Sequence, residues 1–186
     1  MRIIAGGFKG RRINSPVTRG IRPTIDRVRE AVFSIIGEHV GGALVLDLFA
    51  GTGAFGLEAL SRGAKFCCFV DNGTESLGLI RANIELCGVR DKTRIIRADA
   101  RSALHRLEAE KQLFDLVFLD PPYGKGYVEK TLADIGPVAR AGALVIAERH
   151  VKDRQEPLLP SAWQVYRERR YGDTLISIYT RSEESH

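Results

Sequence analysis

No stretch of the 186 residues approaches the roughly 18 consecutive apolar positions that span a bilayer, and the N-terminus lacks the apolar core of a signal peptide. A soluble, cytoplasmic protein with no membrane partner is the expectation. Cysteine is scarce: Cys67, Cys68 and Cys87 make no disulfide framework, and adjacent Cys67 and Cys68 in a strand would point to opposite faces as small core residues. The four histidines, His39, His105, His150 and His186, show no ligand spacing, so no metal is expected. Internal repeats, low-complexity segments and linkers are absent too. A 44% hydrophobic chain of this length suits one domain that buries about 70% of its unfolded surface without staples.

Acid is missing from residues 1–22, which carry Arg2, Lys9, Arg11, Arg12, Arg19 and Arg22. The rest of the chain holds 22 basic against 23 acidic residues, so the net charge of +5 belongs to this N-terminal arm. Ile3-Ile4-Ala5 followed by Gly6-Gly7-Phe8-Lys9-Gly10 reads as a short hairpin with glycine turns, and its six basic residues suit phosphate contact with a nucleic acid. A solvated terminus is the plainer reading of the same residues. Residues 1–22 are taken as a basic arm and residues 23–186 as one domain.

Pro23 and Thr24 open a helix whose apolar positions Val28, Ala31, Val32, Ile35 and Ile36 recur at helical spacing up to Gly37. From there strands and helices alternate. Strands are expected at Ala43–Leu48, Lys65–Asp71, Thr93–Asp99, Phe114–Asp120 and Ala143–Glu148, with helices near Ala54–Arg62, Thr74–Cys87, Arg101–Lys111 and Lys125–Arg140. That order gives an α/β fold, a mostly parallel sheet with helices on both faces and ligands at the carboxyl ends of its strands. Trp163–Tyr171 and Thr174–Thr180 around Gly172-Asp173 close it as an antiparallel hairpin.

Two motifs fall at such strand ends. Asp47-Leu48-Phe49-Ala50-Gly51-Thr52-Gly53-Ala54-Phe55-Gly56 has the spacing of a dinucleotide fingerprint, with Asp71 following Gly51 by 20 residues. A nicotinamide dinucleotide is the first candidate, but the Asp47 carboxylate would repel a pyrophosphate and attract an ammonium group. S-adenosylmethionine has that ammonium and no phosphate. Asp71 is suited to ribose hydroxyls and Asp99 to an adenine amine, although an acid at a strand end also caps the following helix. The second motif, Asp120-Pro121-Pro122-Tyr123, can hold a planar amine: Asp120 and the Pro121 carbonyl accept its protons, and Tyr123 offers a face for stacking. An acid before two prolines is equally an ordinary way to turn a corner.

Together these segments resemble the class I S-adenosylmethionine-dependent methyltransferases with a Rossmann-like fold, and within them the amino-methyltransferases with an Asp-Pro-Pro-Tyr or Asn-Pro-Pro-Tyr motif. Arg2-Ile3-Ile4-Ala5-Gly6, Arg22-Pro23-Thr24, Asp26 to Ala31, Asp47 to Leu60, Asp120 to Tyr123 and Tyr171-Gly172-Asp173-Thr174, in that order, resemble the bacterial RsmD family. The resemblance implies methylation of guanine N2 in 16S ribosomal RNA, within the small ribosomal subunit or an assembly intermediate; a monomer is the expectation for the chain itself. It implies a cofactor site formed by Thr24, Asp47, Phe49, Ala50, Gly51, Thr52, Gly53, Asp71, Asn72, Asp99, Ala100 and Asp120. Asp120 to Tyr123 would hold the guanine. Many class I enzymes carry Glu where this chain has Asp71, and Ala100 serves equally as a helix-start residue.

The implied reaction is direct attack of the amine on a sulfonium methyl, helped by positioning and by acceptors around the developing cation, with no metal or covalent enzyme intermediate needed. The rivals are adenine-N6 methylation of DNA, glutamine methylation of protein, a dehydrogenase, and a non-catalytic RNA-binding assembly factor.

Overall fold

A computed structural model describes residues 1–16, 22–122, 126–152 and 159–182, with the side chains of residues 22–25 outside that set. Helix α1 (Arg22–Ile35) leads into a βα series: β1 (Leu44–Leu48), α2 (Ala54–Ser61), β2 (Phe66–Asp71), α3 (Thr74–Cys87), β3 (Thr93–Arg97), α4 (Ala100–Ala109), β4 (Phe114–Leu119), α5 (Tyr127–Asp134) and β5 (Ala139–His150). The chain then forms β6 (Trp163–Tyr171) and β7 (Thr174–Arg181). The seven strands lie in the order β3-β2-β1-β4-β5-β7-β6. The first five are parallel, β7 runs antiparallel to β5, and β6 antiparallel to β7. This is the Rossmann-like class I architecture.

Strand order reverses between β1 and β4, because the chain winds outward to β3 and crosses back through α4. A crevice opens at the carboxyl ends beside such a switch point. Alternation along the strands feeds two apolar layers. Val45, Cys67, Phe69 and Phe118 pack with Val32, Phe33, Leu57 and Ile80 on the side of α1, α2 and α3. Leu46, Cys68, Val70 and Val117 pack with Leu104, Leu107 and Leu132 of α4 and α5 on the other. Cys67 and Cys68 thus face opposite sides, as their adjacency predicts.

The last parallel unit differs from the expectation. Helix α5 ends at Asp134 instead of Arg140, because Pro137 lacks an N–H and biases Gly136 away from helical backbone; a 3₁₀ turn at Gly136–Val138 follows. Strand β5 starts at Ala139, four residues early. The register jumps from Phe114↔Ala139 to Leu116↔Leu144, leaving Arg140, Ala141 and Gly142 exposed in an irregularity that the left-handed Gly142 (φ 74°) permits. Strand β3 stops at Arg97, two residues short of Asp99, whose carboxylate is the N-cap of α4.

The N-terminal segment folds back on itself, with an antiparallel bridge between Arg2 and Arg12, and docks on α2 and α3. Ile3 and Ile13 are buried in the first apolar layer. The buried Glu58 carboxylate of α2 accepts from the backbone N–H groups of Ile4 (2.8 Å) and Ala5 (3.0 Å) and from Arg62 Nε (2.8 Å). It also lies 3.7 Å from Arg29 Nε, and Arg29 in turn donates to the Arg2 carbonyl and to Asp26. Burial pushes the Arg29 guanidinium down from its ordinary range, against the pull of Asp26 and Glu58. At Gly6 (φ 82°) a Cβ would sit 1.9 Å from the Ser61 carbonyl oxygen, so only glycine lets the segment lie this close to α2.

Candidate active site

The β1–α2 loop takes its shape from left-handed backbone at Phe49 (φ 62°), Gly51 (φ 56°) and Gly53 (φ 76°). Phe49 is not glycine, so its positive φ marks local strain, and its ring stands on the wall of the crevice 5.6 Å from the Tyr127 ring. The loop is held from the tip of β2. One oxygen of Asp71 accepts from Gly51 N–H (2.8 Å) and the other from Gly73 N–H (2.8 Å). Asn83 of α3 adds a bond to the Thr52 carbonyl (2.9 Å).

A cavity of about 1000 Å³ fills the crevice. At one end its wall is formed by Val70, Asp71, Asn72, Ala98, Asp99 and Ala100, from the tips of β2 and β3 and the start of α4; at the other by Asp120, Pro121, Pro122, Tyr127, Glu148 and Thr174. Of the residues expected from the sequence, Phe49, Asp71, Asn72, Asp99, Ala100, Asp120, Pro121 and Pro122 therefore meet around one space.

Each acid is already engaged by its own surroundings. Asp99 caps α4, accepting from Ser102 N–H (3.0 Å) and Ser102 Oγ (2.7 Å), and these bonds hold its carboxyl below the ordinary range. A carboxylate has about four lone-pair sites, so Asp71 and Asp99 each retain acceptor capacity toward the cavity. Asp120 is exposed, with its carboxyl opening onto the cavity, and the crowding of protein around that carboxyl, followed by the charge of Glu148, pushes it up to about 7.

Asp47 is placed differently from the sequence argument. It is 3% exposed, lies off the cavity wall, and accepts from Gly56 N–H (3.0 Å), tying β1 to α2. Burial raises its carboxyl well above the ordinary range, which favours the neutral form and weakens the proposed attraction for an ammonium. Ala50, Gly51, Thr52 and Gly53 also stand off the wall and shape the loop that presents Phe49. Gly56 is required by packing, since a Cβ there would lie 2.4 Å from the Phe69 ring and 2.5 Å from Cys67 Sγ.

Tyr123, Arg19 and the side chains of Thr24 and Arg22 lie outside the described residues. Arg2, Lys9, Arg11 and Arg12 are exposed on the docked segment, where Arg11 packs on the Phe8 ring and donates to the Leu86 carbonyl (2.7 Å). Among the described residues no group of three or more His, Cys, Asp and Glu side chains is arranged to hold a metal, and no helix is long and apolar enough to cross a membrane.

Sequence reasoning missed Tyr127, Lys130, Glu148 and Thr174 on the cavity wall. Glu148 carried a usable signal. It ends the expected fifth strand, as Asp71, Asp99 and Asp120 end the three before it and Asp47 stands one residue short of the end of the first, and the pattern of acids at strand tips extends to it.

The family described as Conserved hypothetical protein 95 matches residues 1–180. Ribosomal RNA small subunit methyltransferase D of Escherichia coli (strain K12) is 35% identical over 185 residues, covering 97% of this chain and 90% of that one. YlbH of Bacillus subtilis (strain 168), provisionally named an rRNA methyltransferase, is 34% identical over 183 residues, covering 97% of this chain and 99% of its own length. Among solved structures, the Escherichia coli protein yhhF, provisionally named a methyltransferase, is similar with a TM-score of 0.84 at 33% identity over 99% of both chains. On the match across residues 1–180 and on these identities over nearly the whole length, the chain belongs to the Conserved hypothetical protein 95 family, the RsmD family.

Proposed function

We propose that the protein methylates the exocyclic N2 amine of a guanine in 16S ribosomal RNA, within the small ribosomal subunit or an assembly intermediate, with S-adenosylmethionine as methyl donor. The observation that carries the reading is a single cavity that joins the Asp120-Pro121-Pro122 turn to the acids Asp71 and Asp99. The residues fit the donor. Acceptors at the tips of β2 and β3 suit ribose hydroxyls and an adenine amine, and Val70, Ala98, Ala100 and Leu104 offer apolar wall to a purine. The relatives named as rRNA methyltransferases support the substrate class.

Bound there, S-adenosylmethionine supplies a methyl group on a sulfonium, an electrophile toward amines. The chain supplies position and acceptors. Asp120 and the Pro121 carbonyl take the two N–H bonds of the target amine, which draws its lone pair out of conjugation and toward the cofactor end. As the new N–C bond forms, positive charge builds on the nitrogen next to the Asp120 carboxylate. The methylated amine then gives up one proton, to Asp120 or to water; the methyl–sulfur bond broken in the transfer would leave its electron pair on sulfur, so that the spent donor would be a neutral thioether. Phe49 and Tyr127 present rings to a base that has left its stack, a displacement that costs a few kcal/mol.

The docked N-terminal segment brings two like charges directly opposite each other at Arg2 and Arg12. Such a cross-strand pair is unfavourable in isolation and is relieved by a polyanion, which supports RNA contact there.

Asp120→Ala tests the reading. Methyl transfer to small subunits should fall by at least about 100-fold, the scale of losing one aligned acceptor, while S-adenosylmethionine affinity stays within a few-fold by calorimetry. Near-normal turnover of Asp120→Ala would refute the role given to the turn.

A further inference from the structure

The cavity end that faces the base holds one acid that the amine chemistry does not use. Strands β4 and β5 are paired up to Leu119↔Ala147, so the next residues along, Asp120 and Glu148, stand side by side at the two strand tips. Glu148 is also the cross-strand partner of Ile176, which lies in the apolar layer of α1, α2 and α3. Its side chain is therefore on that face of the sheet, and both Asp120 and Glu148 line the cavity. Thr174, where β7 begins, lines the same end, whereas Asp71 and Asp99 belong to the other. Two neighbouring carboxyls in one pocket feel each other's charge, and Glu148 is the charge that raises the Asp120 carboxyl.

The two amino purines differ in what they offer such a pair. Guanine presents N1–H beside its N2 amine, three donors in a row. Adenine presents its N6 amine beside an unprotonated N1, an acceptor. With the amine protons held by Asp120 and the Pro121 carbonyl, guanine has one donor left over and adenine a lone pair. We infer that Glu148 accepts the N1–H of the target guanine, so that the paired strand tips select guanine over other amino purines by their donor pattern. The inference rests on the guanine-N2 reading above and extends it from the amine to the whole Watson–Crick edge. Glu148 is then a specificity residue that touches the base. A lone pair on N1 would face its carboxylate with no proton between them, and a site built for a donor rejects an analogue that lacks it by large factors.

The test uses small subunits reconstituted with 16S RNA that carries either guanine or 2-aminopurine at the position the enzyme methylates. The analogue keeps the 2-amine and leaves N1 unprotonated. The wild-type enzyme should prefer guanine by about 100-fold or more in kcat/KM. Glu148→Gln offers an amide that can accept from guanine N1–H or donate to the N1 of 2-aminopurine, so the preference should fall to within about 10-fold. The missing O6 of the analogue is common to both enzymes and cancels in this comparison of ratios. Glu148→Asp keeps the carboxylate and should retain a preference on the wild-type side of that range. Equilibrium binding of the two subunits should show the same collapse in Glu148→Gln, which keeps the test decisive where its turnover is low. An unchanged ratio in Glu148→Gln, or a wild-type enzyme that accepts both bases equally, would overturn the role of Glu148 and leave guanine methylation standing. Absence of transfer to the guanine subunit by the wild-type enzyme would instead remove the underlying reading, and this inference with it.

Discussion

Replacing Glu58 by alanine should cost the protein a large part of its stability and loosen the N-terminal segment. Glu58 has no exposed side-chain surface, and neither has Arg29, 3.7 Å away. The substitution removes the acceptor for Ile4 N–H, Ala5 N–H and Arg62 Nε, and leaves Arg29 with Asp26 and the Arg2 carbonyl alone. Breaking a buried ion pair from one side costs about 3–5 kcal/mol, because the remaining charge stays buried. Each backbone N–H that loses a charged partner risks a further ~1–3 kcal/mol, reduced here because Ile4 and Ala5 are partly open to water. The losses share one site and do not add, so about 3–5 kcal/mol is the expected total, a substantial share of the roughly 5–15 kcal/mol that holds a domain together. Equilibrium urea unfolding would read the loss as a lower midpoint. Limited proteolysis should cut within residues 1–14 before the rest of the chain. A loss under about 1 kcal/mol with the segment still protected would refute the claim that Glu58 fastens it. For the same reason, deleting residues 1–12 is a poor test of RNA contact: it strips partners from Glu58 and uncovers the apolar layer into which Ile3 packs.

Two further predictions concern charge. Because Asp120 works as an acceptor and is held near 7, kcat/KM for methyl transfer should rise with pH through an apparent pKa of about 7 and level off above it. Glu148→Gln removes the neighbouring charge and should move that limb to lower pH; Asp71, Asp99, Lys130 and Asp134 also face the cavity and are unchanged in the comparison. The sign for stability is opposite to the sign for activity. Asp120 is raised in the folded state, so its contribution is complete below the unfolded value of about 4 and is lost as pH climbs through 7. A limb that stays put in Glu148→Gln would contradict the pairing of the two acids. In the N-terminal segment, the double substitution Arg2→Gln and Arg12→Gln should lower the steepness of log K against log salt for RNA binding by about 1.4–1.8. An unchanged slope, measured by filter binding over a salt series, would take these arginines out of the interface.

Much of the scaffold was legible because it follows from local pattern. Apolar runs ending in Asp71 and Leu119, glycines at Gly51 and Gly53, and the adjacent Cys67 and Cys68 all report a parallel sheet through side-chain period and turn chemistry. Contacts between distant residues left no such trace. Glu58 reads as one acid in an apolar helix, and its partners Ile4 and Ala5 are backbone groups 54 and 53 residues away. Asp47 could be placed at a strand end but not turned: only packing shows that it points at Gly56 and not into the cavity. The early start of β5 depends on an irregularity at Arg140–Gly142, which alternation alone does not encode. Glu148 is within reach of the strand-tip argument, but no glycine loop or proline pair follows it to mark the position.

The account is tested most directly by supplying S-adenosylmethionine labelled in its methyl group to small ribosomal subunits from cells lacking the enzyme. Naked 16S RNA, DNA and protein serve as parallel acceptors, and the nucleosides are identified after digestion. The account predicts labelled N2-methylguanosine from the subunit. Label in N6-methyladenine of DNA, or in no acceptor while the cofactor still binds, would contradict it.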